Sequence, residues 1–327
     1  NGTHLLNGEP VHLTNFANDK LFGYKTSYLP EWLEEKSKAK ISAKKVNLIK
    51  IEQLNSALYS QNGKQKLIDF ILNIYNNQPV VVDSQNQLQL SIFAEVIRKL
   101  IGRKRFLFRS AASLINALAN LPDNQHSIND LVSLRLRDQD YKLKPGLILV
   151  GSHVQLADEQ LEVLLAENNC QGIELPVRKI SRVFDGSIPD TLISDLEKIW
   201  LEKLISTLSL DITPVLYTSR GEITFSSSNA RILFGLKLAE LMAGLVSRIS
   251  SKLGYIISKG GITTQLLLEK GLDLKMVQLK GQILPGLSIV SPQTNADNNS
   301  LPVITFPGNL GDKNTLLKAW NLMEKLI

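Results

Sequence analysis

The sequence predicts an α/β chain of two three-layer domains with mostly parallel sheets. Three observations carry that expectation. Short apolar runs alternate with segments of helical period along most of the chain, the pattern of strands joined by crossover helices. Several runs end on a glycine turn or an acidic residue, as strands do where they meet a ligand. One polar, aperiodic stretch divides the alternation into two parts, and 327 residues suffice for two domains with a core each.

Residues 1–44 hold mainly turn material, with Asn7-Gly8-Glu9-Pro10 and Phe22-Gly23, and a short helix opening at Pro30. A compact domain rarely opens on so long an irregular stretch, so the first domain is expected to lack part of its N-terminal side. Strands are expected at 46–51, 79–83 and 105–108, with helices at 66–75, 88–100 and 111–121. Asp83 closes one strand, where it either meets a ligand or caps the following turn. The first domain is taken as 1–122 and the linker as 123–145, within a polar stretch that starts at Leu121-Pro122.

The second domain, 146–327, repeats the alternation. Strands are expected at 147–150, 173–177, 212–217, 255–257, 274–279 and 302–306. Helices are expected at 156–168, 190–208, 229–253 and 313–326. The apolar stripe of the long helix, which includes Leu238, Met242, Leu245 and Ile249, fits core packing and calls for no cofactor. Residues 293–300 read as a polar loop.

Composition excludes several classes. Hydrophobic content of 43% beside 21% charged residues is that of a globular chain. The net charge of +6 is spread thinly, and no aromatic stacking series accompanies its basic clusters, so no nucleic-acid partner is expected. With Cys170 the single cysteine, neither an internal disulfide nor a thiolate metal cluster can form. His4, His12, His126 and His153 lie far apart with no i, i+4 pair, and no metal site is assigned. No run is long enough to span a bilayer and no signal peptide opens the chain, so no membrane partner is expected and the cytoplasm is the expected compartment. A homo-oligomer is compatible with these totals.

Three glycine turns fall in the last quarter of the chain. In Ser258-Lys259-Gly260-Gly261-Ile262-Thr263-Thr264 the order is strand, turn, helix. Glycines there lack the Cβ that would hold a phosphate away from the backbone, Thr263 offers a hydroxyl, and Lys259 adds a charge. Gly281-Gln282-Ile283-Leu284-Pro285-Gly286 and Phe306-Pro307-Gly308-Asn309-Leu310-Gly311-Asp312 follow. Each alone is an ordinary turn; together they suggest one crevice at strand ends. Upstream, Gly151-Ser152-His153 closes a strand before a helix, where Ser152 either caps the helix or bonds a ligand oxygen. Neighbours at a strand end usually point apart, and no Gly-x-Ser-x-Gly elbow is present, so Ser-His hydrolase chemistry is not expected. Neither a P-loop nor a strand-linked Gly-x-Gly-x-x-Gly occurs, which disfavours P-loop enzymes and typical dinucleotide dehydrogenases. Arg109 follows a strand and either clamps a carboxylate or lies on the surface.

Lys-Gly-Gly-Ile-Thr, Gly-Gln-Ile-Leu-Pro-Gly and Phe-Pro-Gly-Asn-Leu-Gly-Asp, in this order and spacing, resemble the C-terminal nucleotide domain of the four-carbon acid sugar kinases. Val150-Gly151-Ser152-His153 followed by Gln160, Phe108-Arg109-Ser110-Ala111-Ala112-Ser113, and the opening through Ser27-Tyr28-Leu29-Pro30 also resemble that family. Asp19, Thr26 and Ser27 lie in shared stretches with no role assigned. His153 and Val154 depart from the family's Ser-rich segment, and Lys259 stands where related sequences can carry Thr or Ser. The family's early Asp-Asp segment and its Ser-Thr-Leu-Arg-Gly-Asn motif have no counterpart here.

The resemblance implies an ATP-dependent kinase acting with Mg on the terminal hydroxyl of a small four-carbon acid sugar of the 3-oxo- or 2-oxo-tetronate type. It places nucleotide contacts at Ser152, Lys259, Gly260, Gly261, Ile262, Thr263, Gly308 and Asn309, with Arg109 toward the acid sugar. No residue is assigned as catalytic base. The alternatives are a non-catalytic nucleotide- or phosphosugar-binding module and, with less support, a Rossmann-type oxidoreductase.

Overall fold

The computed structural model describes all residues except 15, 19–22, 121–126, 153, 190, 221–224, 226, 294–299 and 325–327, together with the side chain of Ser228. Asp19, His126 and His153 therefore lie outside the described residues, as does most of the polar loop expected at 293–300. The chain divides into two compact units, 1–123 and 124–327.

The first unit opens with a small antiparallel pair, β1 (Leu5–Leu6) and β2 (Glu9–Pro10), and the helix α1 (Leu29–Lys36), which has Pro30 in its first turn. Then come β3 (Asn47–Ile49), α2 (Ile51–Tyr59), α3 (Gln61–Leu72), β4 (Val80–Val82), α4 (Gln87–Leu100) and α5 (Ala112–Ala119). β3 and β4 pair in parallel, and the helices pack Leu54, Leu67, Ile71, Phe93, Val96, Ile97 and Leu100 into one core with Ile49. Asn86 and Ser60 cap α4 and α3 by accepting hydrogen bonds from Gln89 and Gly63 amides.

The unit departs from expectation at two places. α2 was not foreseen, although Ile51, Leu54 and Ala57 follow a helical period. The strand expected at 105–108 does not form. Phe106 packs against the core and stacks on Phe108 at 5.9 Å, while Leu107 is fully exposed, so the apolar residues are spent on side-chain packing rather than on a sheet.

The second unit begins with α6 (Ile128–Val132) and continues through β5 (Gly146–Val150), α7 (Gln155–Leu165), β6 (Cys170–Leu175), α8 (Val177–Phe184), α9 (Thr191–Ser209) and β7 (Thr213–Thr218). It then runs through α10 (Ser228–Ser247), β8 (Tyr255–Lys259), α11 (Gly261–Leu266), β9 (Val277–Leu284), β10 (Leu287–Pro292), β11 (Val303–Phe306) and α12 (Thr315–Glu324). The seven-stranded sheet has the order β6-β7-β5-β8-β11-β10-β9, and only β10 runs against its neighbours. Leu147 and Leu149 of β5 face one helical layer, with α8, α9 and α10; Ile148 and Val150 face the other, with α6, α7 and α12. This unit is three-layered, and β5 and β8 are buried throughout, as parallel strands covered on both faces are. Among the described residues no helix is long and apolar enough to cross a membrane.

Residues 127–145 differ from the expected linker. Leu131 and Val132 of α6 enter the core, and Arg135, almost fully buried, donates to the Lys144 and Met323 carbonyls and pairs with Glu324 at 2.9 Å. Tyr255 donates to the same carboxylate, and burial pushes its hydroxyl well above the usual phenol range. Contacts across 189 residues hold the stretch, so its local polarity misled. Gly146 is required beneath that tyrosine, because a Cβ there would overlap the Tyr255 ring. Gly146→Ala is expected to lower stability by about 1–3 kcal/mol, the usual range for an overfilled core. Urea denaturation of the variant beside the parent chain measures it.

Neither α8 nor β10 was foreseen. Gly281 through Leu284, read as a turn, belong to β9, where Gly281 sits at a register shift opposite Ile289 with φ 152°. The turn itself is confined to Pro285 and Gly286.

Candidate functional site

β5, β8 and β11 are neighbours, and their carboxyl ends stay in register: the Gly151 amide donates to the Lys259 carbonyl, and the Gly260 amide to that of Phe306. From β5 the chain crosses toward β6 on one side, whereas the strands after β8 lie on the other. The crevice between β5 and β8 is thus a topological switch point, where open α/β sheets bind ligands.

Three turns meet there. A Cβ on Gly308, after β11, would stand 2.5 Å from Ser152 Oγ, after β5. One on Gly260, after β8, would stand 3.4 Å from the Ser152 amide and 3.5 Å from Thr263 Oγ1. One on Gly151 would overlap Thr263 Oγ1. Gly260 has φ 118°, which L side chains rarely adopt. Ser152, Gly260, Thr263 and Gly308 therefore converge from separate segments.

Space over Gly261 is open: beyond its chain neighbours and its own helix backbone, no atom of the described residues lies within 4 Å of the position its Cβ would take. Gly261 opens α11, whose first-turn N–H groups have no intrahelical acceptors. Ile262 and Asn309 are exposed in the same turns. The turns are braced from behind. Thr264 Oγ1 lies 2.9 Å from the buried Ser258 hydroxyl, and Gln160 of α7, fully buried, donates to the carbonyls of Leu310 and Asp312. Gly286 leaves room for Leu310.

Lys259 is fully buried. Its ammonium donates to the Pro307 carbonyl at 3.3 Å and stands 3.9 Å from the centre of the Phe306 ring. Burial, and then the positive charge of Arg220, depress its pKa to about 8. Arg220, two residues beyond β7, was not singled out in the sequence. Its Nη1 donates to the Ser152 carbonyl at 2.6 Å and lies 3.0 Å from Asp158 Oδ1. Burial lowers its pKa as well. Its only signal in sequence was a basic residue just past an apolar run.

Two cations, three glycine-bearing turns and a serine hydroxyl thus lie together at strand carboxyl ends, a set of groups whose chemistry suits an oxyanion. Among the described residues no group of three or more His, Cys, Asp or Glu is placed to hold a metal ion. Asp312, near Gly308, bonds instead to Thr315 and the Asn314 amide, which lowers its pKa.

Arg109 belongs to the other unit. It is exposed, with its guanidinium 4.6 Å from the centre of the Trp32 ring. Asp83 there accepts from the Gly2 amide at 2.8 Å, and His12 Nδ1 lies 2.6 Å from Ser27 Oγ.

Comparisons with known proteins agree with the architecture. A sugar-binding N-terminal domain matches residues 1–118 and a nucleotide-binding C-terminal domain residues 147–316. The chain belongs to the family built from these two domains, the four-carbon acid sugar kinase architecture. A search of curated proteins returns no match.

Among solved structures, a Salmonella typhimurium LT2 protein provisionally described as a tRNA synthase is similar in fold. It has a TM-score of 0.58 and 14% identity over 95% of this chain and 66% of its own. The chain thus spans about two thirds of that protein's length. A domain of unknown function from Bordetella bronchiseptica, solved with bound citrate as a domain-swapped dimer, aligns at TM-score 0.44 and 16% identity. That alignment covers 99% of this chain and 68% of the other.

Proposed function

We propose that the chain is an ATP-dependent kinase that phosphorylates the terminal hydroxyl of a four-carbon acid sugar of the tetronate type. The observation that carries the nucleotide half is the convergence of Ser152, Gly260 and Gly308 beside buried Lys259. Phosphoryl transfer needs mainly positioning and neutralisation of charge, and that crevice offers both. The Lys259–Thr263 turn receives the terminal phosphates, Ser152 bonds one of their oxygens, and Gly308-Asn309 flanks the nucleotide from the other side. With no acidic cluster among the described residues, Mg enters this reading as part of Mg-ATP rather than in a protein-built site. In the reaction the sugar hydroxyl oxygen bonds to the γ-phosphorus and the bridging P–O bond breaks. ADP leaves with the electron pair, and the hydroxyl proton passes to a base. The sugar-binding unit supplies the acceptor, with Arg109 as the group offered to its carboxylate.

The test is ADP release from Mg-ATP in the presence of a panel of four-carbon acid sugars. Release stimulated by one of them, and by its carboxylate rather than by the matching neutral polyol, is the expected result. Nucleotide binding without stimulated release would contradict catalysis and favour a nucleotide-binding module. Arg109→Leu is expected to raise the acid-sugar KM about tenfold or more, the loss of one charge-assisted bidentate contact, with nucleotide affinity unchanged.

A further inference from the structure

Arg220 is held in an unusual state. Its Nη1 donates to the Ser152 carbonyl and stands at ion-pair distance from Asp158, while Nε and Nη2 are closed off from solvent without a hydrogen-bond partner among the described residues. Asp158 Oδ1 lies 3.0 Å from Nη1 but makes no hydrogen bond of acceptable geometry. The pairing is therefore one-armed, although a guanidinium favours a two-armed fit to carboxylate or phosphate. Asp158 is about half exposed, on the first turns of α7, and can leave Arg220 at small cost, whereas the fork edge of Arg220 has no acceptor to lose. A buried charged donor left unmet is costly, and the neighbouring Lys259 ammonium brings no anion with it. A small pocket lined by Glu174, Lys179, Ser219 and Arg220 opens alongside, at the ends of β6 and β7.

We propose that Asp158 is a resting counter-ion of Arg220 and that the polyphosphate of a nucleotide takes its place, the unpartnered Nε–Nη2 edge receiving a phosphate oxygen pair. Arg220 then reads phosphate number, and through the Ser152 carbonyl it ties that reading to the β5 turn. Because Nε and Nη2 are covered in the resting form, engagement turns the side chain about its terminal torsions as Asp158 is released. This inference rests on the nucleotide reading of the same crevice.

The test is a calorimetric ladder of AMP, ADP, ATP and inorganic tripolyphosphate against the parent chain, Arg220→Met, Arg220→Lys and Asp158→Asn, with thermal unfolding of each. The parent is expected to bind more tightly at each added phosphate. Arg220→Met is expected to flatten the ladder, losing about tenfold or more for ATP and tripolyphosphate with AMP little changed. Arg220→Lys should recover part of that loss, since the charge returns without the fork. Asp158→Asn removes the competitor and is expected to tighten ATP and tripolyphosphate severalfold.

Equal losses for AMP, ADP and ATP in Arg220→Met would overturn the proposal, leaving Arg220 as a brace for Ser152 alone. Weaker ATP binding in Asp158→Asn would overturn the exchange. If the parent binds tripolyphosphate through Arg220 but no nucleotide, the exchange of Asp158 for a polyphosphate stands, and the nucleotide reading falls together with the nucleotide as its ligand. If the parent binds neither, both fall.

Discussion

Gly261→Val is expected to reduce Mg-ATP affinity by about a hundredfold, near 3 kcal/mol, while the unfolding temperature moves little. The two halves of that expectation have separate causes. Beyond its chain neighbours and its own helix backbone, no atom of the described residues lies within 4 Å of the position its Cβ would take, and the backbone there is not left-handed, so the valine meets no such neighbour in the folded chain. The space it fills is the space that admits an oxyanion to the first amides of α11. Gly151 and Gly260 cannot give so clean a result. A side chain on Gly151 strikes Thr263, and Gly260 needs its positive φ, so loss of binding there would be confounded with loss of structure. Calorimetry and thermal unfolding on one preparation check both halves. Undiminished binding by a folded Gly261→Val chain would remove the phosphate from this turn.

Lys259→Met is expected to move stability and binding in opposite directions. The ammonium lies buried beside Arg220, and its partners among the described residues are a carbonyl and an aromatic face rather than a carboxylate. Replacing such a charge with an apolar side chain of similar length removes the desolvation burden. The free variant should therefore unfold a few degrees higher at pH 7, and Mg-ATP affinity should fall about tenfold or more.

The pH dependence has a fixed sign. The folded-state pKa, about 8, lies below the unfolded value of about 10.4, so between them the unfolded chain holds more protons and stability of the parent rises with pH. Below about pH 8 the burden is fully present, and there the variant's advantage should be largest; it should fade toward pH 10.4. A bound phosphate favours the ammonium, so nucleotide binding near pH 8 should take up a proton and affinity should weaken as pH rises. Calorimetry in buffers of different ionisation enthalpy measures that proton. An unchanged unfolding temperature across the pH range would contradict the buried-charge account.

What could be read from the sequence was local. β5, β7, β8 and β11 announce themselves as continuous apolar runs, and the turns after β5, β8 and β11 carry glycine where Ser152 or Thr263 of a neighbouring turn comes close. Those two facts, together with the family resemblance, singled out Ser152, Gly260, Gly261 and Gly308 as turn residues at strand ends, and the structure brings those turns together. What stayed hidden depends on partners distant in sequence. Arg220 gains its place from Ser152, 68 residues away, and a basic residue just past an apolar run is a signal too common to single it out. Residues 127–145 looked like a linker because α6 is a five-residue helix, and the contacts that fix them come from Met323 and Glu324. β10 was hidden by its antiparallel course, which the parallel expectation left no room for, and Lys259, read as a charge offered at its turn, is a buried one.

The most direct test of the central claim, that the carboxyl ends of β5, β8 and β11 hold the phosphates of a nucleotide, is hydrogen–deuterium exchange with and without saturating Mg-ATP. Protection on peptides containing 150–152, 259–264 and 306–311, with the opposite ends of the same strands unaffected, is the predicted result. Saturable protection confined to other segments, or none on these three turns, would contradict it.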